Sequence, residues 1–213
     1  MLFRSTTVKT TAKTTNSNGN NGASNGAKSR SAGFTVPGLK PDDGAKVADA
    51  LQERLVALID LSLTLKHVHW NVVGPTFIGV HQMLDPQVAG VALMVDETAE
   101  RIATLGTSPN GLAGNLVATR SWDDYSLARD LVSAHLGALD VVYAGLIEAH
   151  RAAIDDLGDL DPVTLDMLTK QSGQLEQYHW FVRAHLESAS GSLSTRGQST
   201  EREAADAAAE AAK

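Results

Sequence analysis

Residues 66–101 read KHVHWNVVGPTFIGVHQMLDPQVAGVALMVDETAER, a stretch unusually dense in imidazole and carboxylate side chains. The potential metal ligands in it are His67, His69, His81, Asp85, Asp96, Glu97 and Glu100. Since the chain contains no cysteine, a metal site would have to use His, Asp and Glu ligands. Imidazole and carboxylate ligands with open positions suit Fe²⁺, and also Mn²⁺ or Zn²⁺.

Two helical patterns flank the NVVGP sequence at residues 71–75. Apolar residues recur every three or four positions from Gly44 to Val72 (helix A), and again from Phe77 to Leu105 (helix B). Gly and Pro between them predict a tight turn. Pro86 leaves two alternatives, because it either begins a new helix after an Asp85 cap or interrupts a continuous one.

Two more helical patterns follow a connector at residues 107–120. Helix C is predicted from Ser121, where SWDD resembles a capping box, to Leu157. Helix D is predicted from Pro162 to about Ser188. Four helices of this length must bury their apolar stripes on one another, which predicts an all-α four-helix bundle. The B–C connector is long enough to cross the bundle, as in ferritin-like folds.

Composition divides the chain into three parts. Residues 1–35 are rich in Thr, Asn, Gly and Ser and are predicted to be a disordered tail, whereas residues 36–190 form the bundle. Residues 191–213 are expected to be a loose tail, because an isolated helix of that length is unstable in water. Residues 1–40 carry six cations and no acid, which leaves −13 on residues 41–213 of a chain whose net charge is −7. No run approaches the roughly 18 apolar residues of a membrane span, so no membrane partner is expected.

One distance restricts how the candidate ligands combine. His81 and Asp96 are 15 residues apart on helix B, which is about 22 Å along a helix. Metal–ligand bonds are about 2 Å long, so these two residues of one chain cannot hold the same ion. Either the two groups are unrelated, or they meet across a two-fold axis that brings together opposite ends of two copies of the helix. Asp96 and Glu100 are four residues apart and share one helix face.

Together these residues resemble a known family. HVHWNVVGPTFIGVHQMLD (residues 67–85) followed by DETAER (residues 96–101) is similar to the signature of Dps proteins, the DNA-binding proteins from starved cells. The resemblance spans about residues 34–190. WDDYSLARD (residues 122–130) and FVRAHLESASG (residues 181–191) are similar to actinobacterial members.

This resemblance implies a set of ferroxidase ligands. His69 and His81 would come from one subunit, and Asp96 and Glu100 from its two-fold mate. Asp85 matches an additional carboxylate near the site, and Trp70 matches an aromatic residue beside the iron. The family forms hollow dodecameric shells, which would be the homo-oligomer here.

The implied function is iron oxidation and storage. The family oxidises Fe²⁺ to Fe³⁺ with hydrogen peroxide in preference to O₂ and stores the ferric mineral, which limits oxidative damage near DNA. A bacterial, cytoplasmic location is implied, with association with the nucleoid. The alternative is a protein that acts mainly by binding DNA without sequence preference through its basic N-terminal tail. A third reading is a purely structural assembly in which the motif serves subunit packing.

Some residues have simpler interpretations. His135, His150 and His185 are expected to be ordinary core or surface residues, and His67 to support packing near the site. Glu176 and His179 form an ExxH sequence, but a di-iron bundle site needs a second copy that is not found. Acidic residues near the C–D turn are candidates for an iron entry path: Asp155, Asp156, Asp159, Asp161 and Asp166.

Overall fold

The computed structural model describes residues 33–213 and shows four long helices joined by one long connection. In chain order the elements are α1 (Pro41–Asn71), β1 (Val72–Val73), α2 (Phe77–Thr104), α3 (Ala113–Thr119), β2 (Asp130–Leu131), α4 (Val132–Leu157), α5 (Pro162–Ala184) and α6 (Glu201–Ala211). The predicted all-α four-helix bundle is confirmed, with α1, α2, α4 and α5 as its helices. The predicted N-terminal tail, residues 1–35, lies outside the described residues except for its last three.

The apolar stripes of the four long helices form the core. Leu58, Leu65, Leu84, Leu139 and Leu175 are all fully buried, and they come from all four helices. A second cluster closes the end of the bundle where α1 and α5 begin and α2 and α4 end. This arrangement makes α1 antiparallel to α2, so the end of α1 lies beside the beginning of α2.

The structure decides between the two readings of Pro86. α2 is one helix of 28 residues with Pro86 inside it. The residues on either side of Pro86 therefore belong to one helix, and the separation of about 22 Å between His81 and Asp96 along that helix holds.

The prediction that helix C begins at Ser121 is wrong, because α4 begins only at Val132. The preceding residues are held in an extended path across α1 by two hydrogen bonds to one carboxylate. Arg120 Nη1 and Trp122 Nε1 donate to the side chain of Asp60 at 3.1 and 2.7 Å. β2 then pairs in parallel with β1, Val72 opposite Asp130, which fixes where α4 starts.

The end of helix D also differs from the prediction. α5 ends at Ala184, four residues before Ser188. The chain then turns back on itself, with Glu187 and Leu193 forming an antiparallel bridge and Gly191 at φ +82°. A left-handed residue at this turn favours glycine and does not continue a helix.

The C-terminal segment differs from the loose tail expected from sequence. Residues 201–211 form α6, which begins with a capping box between Thr200 and Glu203. α6 packs against α4 and buries Ala204, Ala205 and Ala208. Contact with the bundle stabilises this helix, which would be marginal alone.

Among the described residues, α4 is the one helix long and apolar enough to span a membrane. More than half of its most apolar window, 56 %, is buried inside the bundle. Its hydrophobic character is thus accounted for by its place in the core.

Candidate metal centre

The turn between α1 and α2 brings the first two candidate ligands together. α1 ends at Asn71 and α2 begins at Phe77, so only five residues reverse the chain. Gly74 has φ +121°, a conformation that favours glycine. His69, in the last turn of α1, and His81, in the second turn of α2, therefore lie side by side.

The two imidazoles are held by a reciprocal pair of hydrogen bonds. His69 Nδ1 lies 3.0 Å from the carbonyl oxygen of His81, and His81 Nδ1 lies 2.9 Å from the carbonyl oxygen of His69. The rings stack with centroids 3.7 Å apart. Because a carbonyl oxygen only accepts, each Nδ1 must carry the proton and donate. This leaves the Nε2 atom of each ring as the one that can bind a metal ion, the orientation that metal-binding histidines need.

Asp85 is the carboxylate beside this histidine pair. Its Oδ1 lies 3.4 Å from His69 Nδ1 and accepts a hydrogen bond from Lys66 Nζ at 3.1 Å. The Lys66 hydrogen bond lowers the pKa of Asp85, and the nearby His69 adds to this effect. Asp85 is therefore a charged carboxylate at neutral pH, about half exposed to solvent.

Asp96 and Glu100 lie on α2 far from the histidines. Both side chains are exposed. Their neighbour Glu97 instead bonds to Lys170 at 3.1 Å. Within residues 33–213 of one chain, no group of three or more His, Asp and Glu side chains is arranged to hold a metal ion. The structure thus brings His69, His81 and Asp85 together but leaves Asp96 and Glu100 apart from them.

Two neighbours of the site were not singled out from sequence. Lys66 contacts Asp85, and its position three residues before His69 on one helix face was the available signal. The Phe77 ring stands 5.1 Å from the His81 ring, centroid to centroid. Trp70, by contrast, points outward and is 71 % exposed in the single chain.

The other candidates have structural partners of their own. Glu176 accepts from Arg151 at 2.8 Å, whereas His179 bonds to Asp140 at 2.6 Å, so the ExxH residues do not converge on one site. Although burial opposes it, hydrogen bonds from His179, Thr195 and Arg183 hold the pKa of Asp140 well below its usual range. His67 lies 2.9 Å from the carbonyl oxygen of Leu127 and His135 lies 3.0 Å from the Tyr125 hydroxyl, which fits supporting roles.

The acidic residues at the α4–α5 turn are not equivalent. Asp161 is buried and bonds to Arg101 at 2.5 Å, which ties the start of α5 to α2. The other four are exposed: Asp155, Asp156, Asp159 and Asp166. Of the five acidic residues at this turn, the four exposed ones remain candidates for an iron entry path.

Comparison with known proteins identifies the family. Residues 48–191 match the model of the ferritin-like domain. The chain is 59 % identical over 175 residues to the DNA protection during starvation protein of Mycolicibacterium smegmatis, covering 82 % of this chain and 96 % of that protein.

Solved structures agree with this assignment. The tetragonal crystal form of Mycobacterium smegmatis Dps matches with a TM-score of 0.76 at 59 % identity, over 78 % of this chain and 99 % of that chain. DpsA14 from Streptomyces coelicolor matches with a TM-score of 0.74 at 57 % identity, over 75 % of this chain and 95 % of that chain. The chain therefore belongs to the Dps family of ferritin-like proteins.

Proposed function

We propose that the protein is a mini-ferritin subunit that oxidises Fe²⁺ at sites shared between two subunits and stores the ferric product inside a dodecameric shell in the bacterial cytoplasm. One observation carries this proposal. The His69–His81 pair has the geometry of half a metal site, and the carboxylates that would complete it lie about 22 Å away on the same helix. A second copy of the chain is needed to bring the two halves together.

Exposed apolar side chains support pairing through the α1–α2 face. Leu63 and Trp70 are 60 % and 71 % exposed and lie seven residues apart, so they share one face of α1. Leu93, 67 % exposed, lies seven residues before Glu100 on α2. Exposed apolar patches of this kind mark protein interfaces. Antiparallel pairing across a two-fold axis would bury them and set Asp96 and Glu100 against the partner's histidine pair, generating two equivalent sites.

The ligand set suits iron oxidation. Asp96 and Glu100 would attract Fe²⁺ and favour the more highly charged Fe³⁺ still more, while the two neutral imidazoles complete the site without further charge. Two Fe²⁺ ions each give one electron to hydrogen peroxide, which with two protons leaves as two water molecules. Supplying both electrons at one site avoids the release of hydroxyl radical. O₂ is the alternative oxidant.

The test is anaerobic oxidation of Fe²⁺ by stoichiometric hydrogen peroxide. The double variant Asp96→Asn/Glu100→Gln keeps the shape of both side chains but removes their charge. Glu97→Gln, on the same helix turn, is the matched control because Glu97 pairs with Lys170. We expect fast oxidation with soluble, protein-bound ferric iron in the wild type and the control, and loss of both in the double variant.

Two outcomes of this assay would contradict the proposal. One is oxidation in the wild type no faster than in buffer, with ferric iron precipitating. The other is a double variant that oxidises and retains iron as the wild type does. A protein that is monomeric in solution would also contradict it, since the two halves of the site need two chains.

DNA binding is the second candidate, supported by the charge of the N-terminal residues. Residues 1–40 contain six Lys and Arg residues and no Asp or Glu. α6 and the residues around it are slightly acidic and α6 is packed on the bundle, so the C-terminal segment adds no cationic patch. Deletion of residues 1–35 should abolish retardation of duplex DNA and leave iron oxidation intact. Binding by the full chain should weaken steeply with salt, because it rests on phosphate contacts.

A further inference from the structure

A cavity of about 380 Å³ lies between α1 and α4, and none of its lining residues belongs to the candidate metal centre. Its walls are mainly apolar and include Leu61 of α1, Val142 and Leu146 of α4, and the aromatic rings of Trp122 and Tyr125. This volume is within the range of small-molecule sites, roughly 300–1,000 Å³. We call it the α1–α4 cavity.

Arg54 of α1 borders the α1–α4 cavity and has unused hydrogen-bonding capacity. The residue is 8 % exposed, and neither its Nε nor its Nη1 finds an acceptor within residues 33–213. The nearest acid is Glu53, whose Oε2 lies 3.9 Å from Arg54 Nη2 on a side chain that is 78 % exposed. That separation is too long for a hydrogen bond. A buried guanidinium without a hydrogen-bonded anion is unfavourable, which points to an anionic partner.

The core residue next to Arg54 does not supply that charge. His150 of α4 is fully buried, and burial, followed by the charge of Arg54, lowers its pKa to about 4. It is therefore neutral at physiological pH and cannot balance a cation.

The carboxylates that also line the α1–α4 cavity do not pair with Arg54. Asp60 accepts from Arg120 Nη1 and Trp122 Nε1, which holds the Trp122 ring in the cavity wall. Glu201 accepts from the backbone N–H of Ser126 at 2.8 Å. Asp123, the third, is exposed to solvent. These groups build and border the wall, and Arg54 remains a buried charge without a hydrogen-bonded counterion.

We propose that the α1–α4 cavity binds a small monocarboxylate with an apolar body, its carboxylate on Arg54 and its body against Leu146 and Trp122. Guanidinium–carboxylate pairs are among the stronger hydrogen-bonded contacts in proteins. The apolar walls suit an apolar ligand body, and the cavity volume of about 380 Å³ limits its size. The inference is independent of the proposed iron chemistry, because none of these residues belongs to the metal centre.

The test is calorimetric titration of the assembled, full-length protein with octanoate and, separately, with its uncharged analogue 1-octanol. Arg54→Met removes the charge and keeps an apolar chain of similar length, a change that buried ion sites tolerate well. Gly145→Leu narrows the cavity from α4, where a Cβ atom meets nothing within 4 Å. Gly173→Leu, at a similarly open helical position on α5, is the matched control.

We expect saturable binding of octanoate, one per subunit, and weaker binding of 1-octanol. Affinity should fall at least about tenfold in Arg54→Met and in Gly145→Leu, and should persist in Gly173→Leu. If Arg54→Met fails to assemble, Gly145→Leu decides the question alone. Iron oxidation should be unchanged in both cavity variants, which separates this test from that of the metal centre.

Three results would overturn the proposal. The first is no saturable heat with octanoate in millimolar excess. The second is equal affinity in the wild type and the two cavity variants. The third is octanoate binding that arises only after residues 1–32 are removed, which would identify that segment of the chain as the occupant of the cavity.

Discussion

At the scale of single residues, His150 shows how burial changes the chemistry of a histidine. Its ring is inaccessible to solvent, and its Nδ1 lies 3.3 Å from the carbonyl oxygen of Leu146 in the preceding turn. Burial and, secondarily, the charge of Arg54 lower its pKa to about 4. An imidazole in the unfolded chain has a pKa of about 6.5. The folded state therefore resists a proton that the unfolded state accepts readily.

This difference predicts a pH-dependent loss of stability. Above about pH 6.5 His150 is neutral in both states and has no effect. As the pH falls from there toward 4, the unfolded state binds the extra proton and folding is penalised by about 3 kcal/mol at pH 4. The variant His150→Met lacks this titration. Its free energy of unfolding, measured by denaturant at one protein concentration, should decline less than that of the wild type over this interval.

The difference between the wild type and His150→Met isolates the effect of His150 on stability, because the other titrating groups are present in both. The lowered pKa of Asp140 stabilises the folded state. This contribution to the free energy of unfolding is lost only at about pH 4 and lower, where the carboxyl of the unfolded chain becomes protonated. Equal slopes for wild type and His150→Met between pH 6.5 and 4.5 would show that His150 does not stay neutral in the folded protein.

Residue types and spacing predicted the contact between His69 and His81 better than they predicted the contacts around it. The sequence indicated that His69 and His81 meet at a turn, and the structure places them in stacking contact. It did not indicate that Lys66 reaches Asp85 or that Arg54 is buried. Long, flexible side chains can lie along several paths from the same helix position, so their partners depend on tertiary packing that a single sequence does not display.

At the scale of elements, the docking of α6 depends on one close approach. A Cβ atom on Gly137 of α4 would lie within 3.0 Å of the backbone carbonyl of Ala204. Backbone cannot yield as a flexible side chain can, so any larger residue must push α6 away. Thr195 Oγ1 donates to Asp140 at 2.5 Å and ties the preceding segment to the same helix.

Gly137→Ala should therefore loosen or release α6. Overpacking costs about 1–3 kcal/mol, more than the roughly 1 kcal/mol gained by replacing glycine inside a helix. Exposed Arg196 and Arg202 provide trypsin sites that report on release. We expect faster cleavage there in Gly137→Ala, with the four-helix bundle left intact.

Gly145→Ala is the matched control, because it lies in α4 and its Cβ meets nothing within 4 Å. It should cleave at the wild-type rate and be slightly stabilised. If both variants cleave at equal rates, the close approach at Gly137 does not govern the docking of α6.

Element boundaries show why sequence reasoning succeeded for the long helices and failed at their ends. Periodic apolar residues placed α1, α2, α4 and α5 correctly as helices, because burying that stripe dominates their energetics. SWDD at residues 121–124 looked like a helix start, but Asp60 on α1 binds Arg120 and Trp122 and holds this segment extended. The sequence did not predict α6, whose capping box of Thr200 and Glu203 is a finding of the structure. The docking surface of α6 on α4 could not be predicted either, because a buried glycine contact has no local pattern.

At the scale of the whole molecule, the proposed metal site has two halves that the geometry of a single chain keeps apart. The histidine half lies at the α1–α2 turn, and the carboxylate half lies about 22 Å further along α2. A two-fold pairing that joins them makes the histidines and the carboxylates of any one site belong to different chains. Because the ligands of one site come from different chains, an assembly that mixes two variants can distinguish a shared site from two unrelated surface groups. Single variants distinguish them less clearly.

Mixed assemblies of two inactive variants should therefore recover activity. One variant lacks the histidine half (His69→Ala/His81→Ala), and the other lacks the carboxylate half (Asp96→Asn/Glu100→Gln). In a mixed two-fold pair, one site has both intact halves and the other has neither. Random assembly at equal amounts should restore about a quarter of the wild-type sites. The measurement is the peroxide-driven oxidation of Fe²⁺ by co-assembled protein, against the two variants assembled separately and mixed afterwards.

The stoichiometry itself discriminates between arrangements. If each site drew all its ligands from one chain, every subunit of either kind would carry a broken site, and co-assembly would recover nothing. If the carboxylates served only to attract Fe²⁺ to the surface, recovery would follow the number of histidine-bearing subunits and approach half, rather than a quarter, of the wild-type activity. Recovery near a quarter, absent when preassembled shells are mixed, is expected only when the histidine pair of one subunit and the Asp96–Glu100 pair of another meet at a two-fold axis.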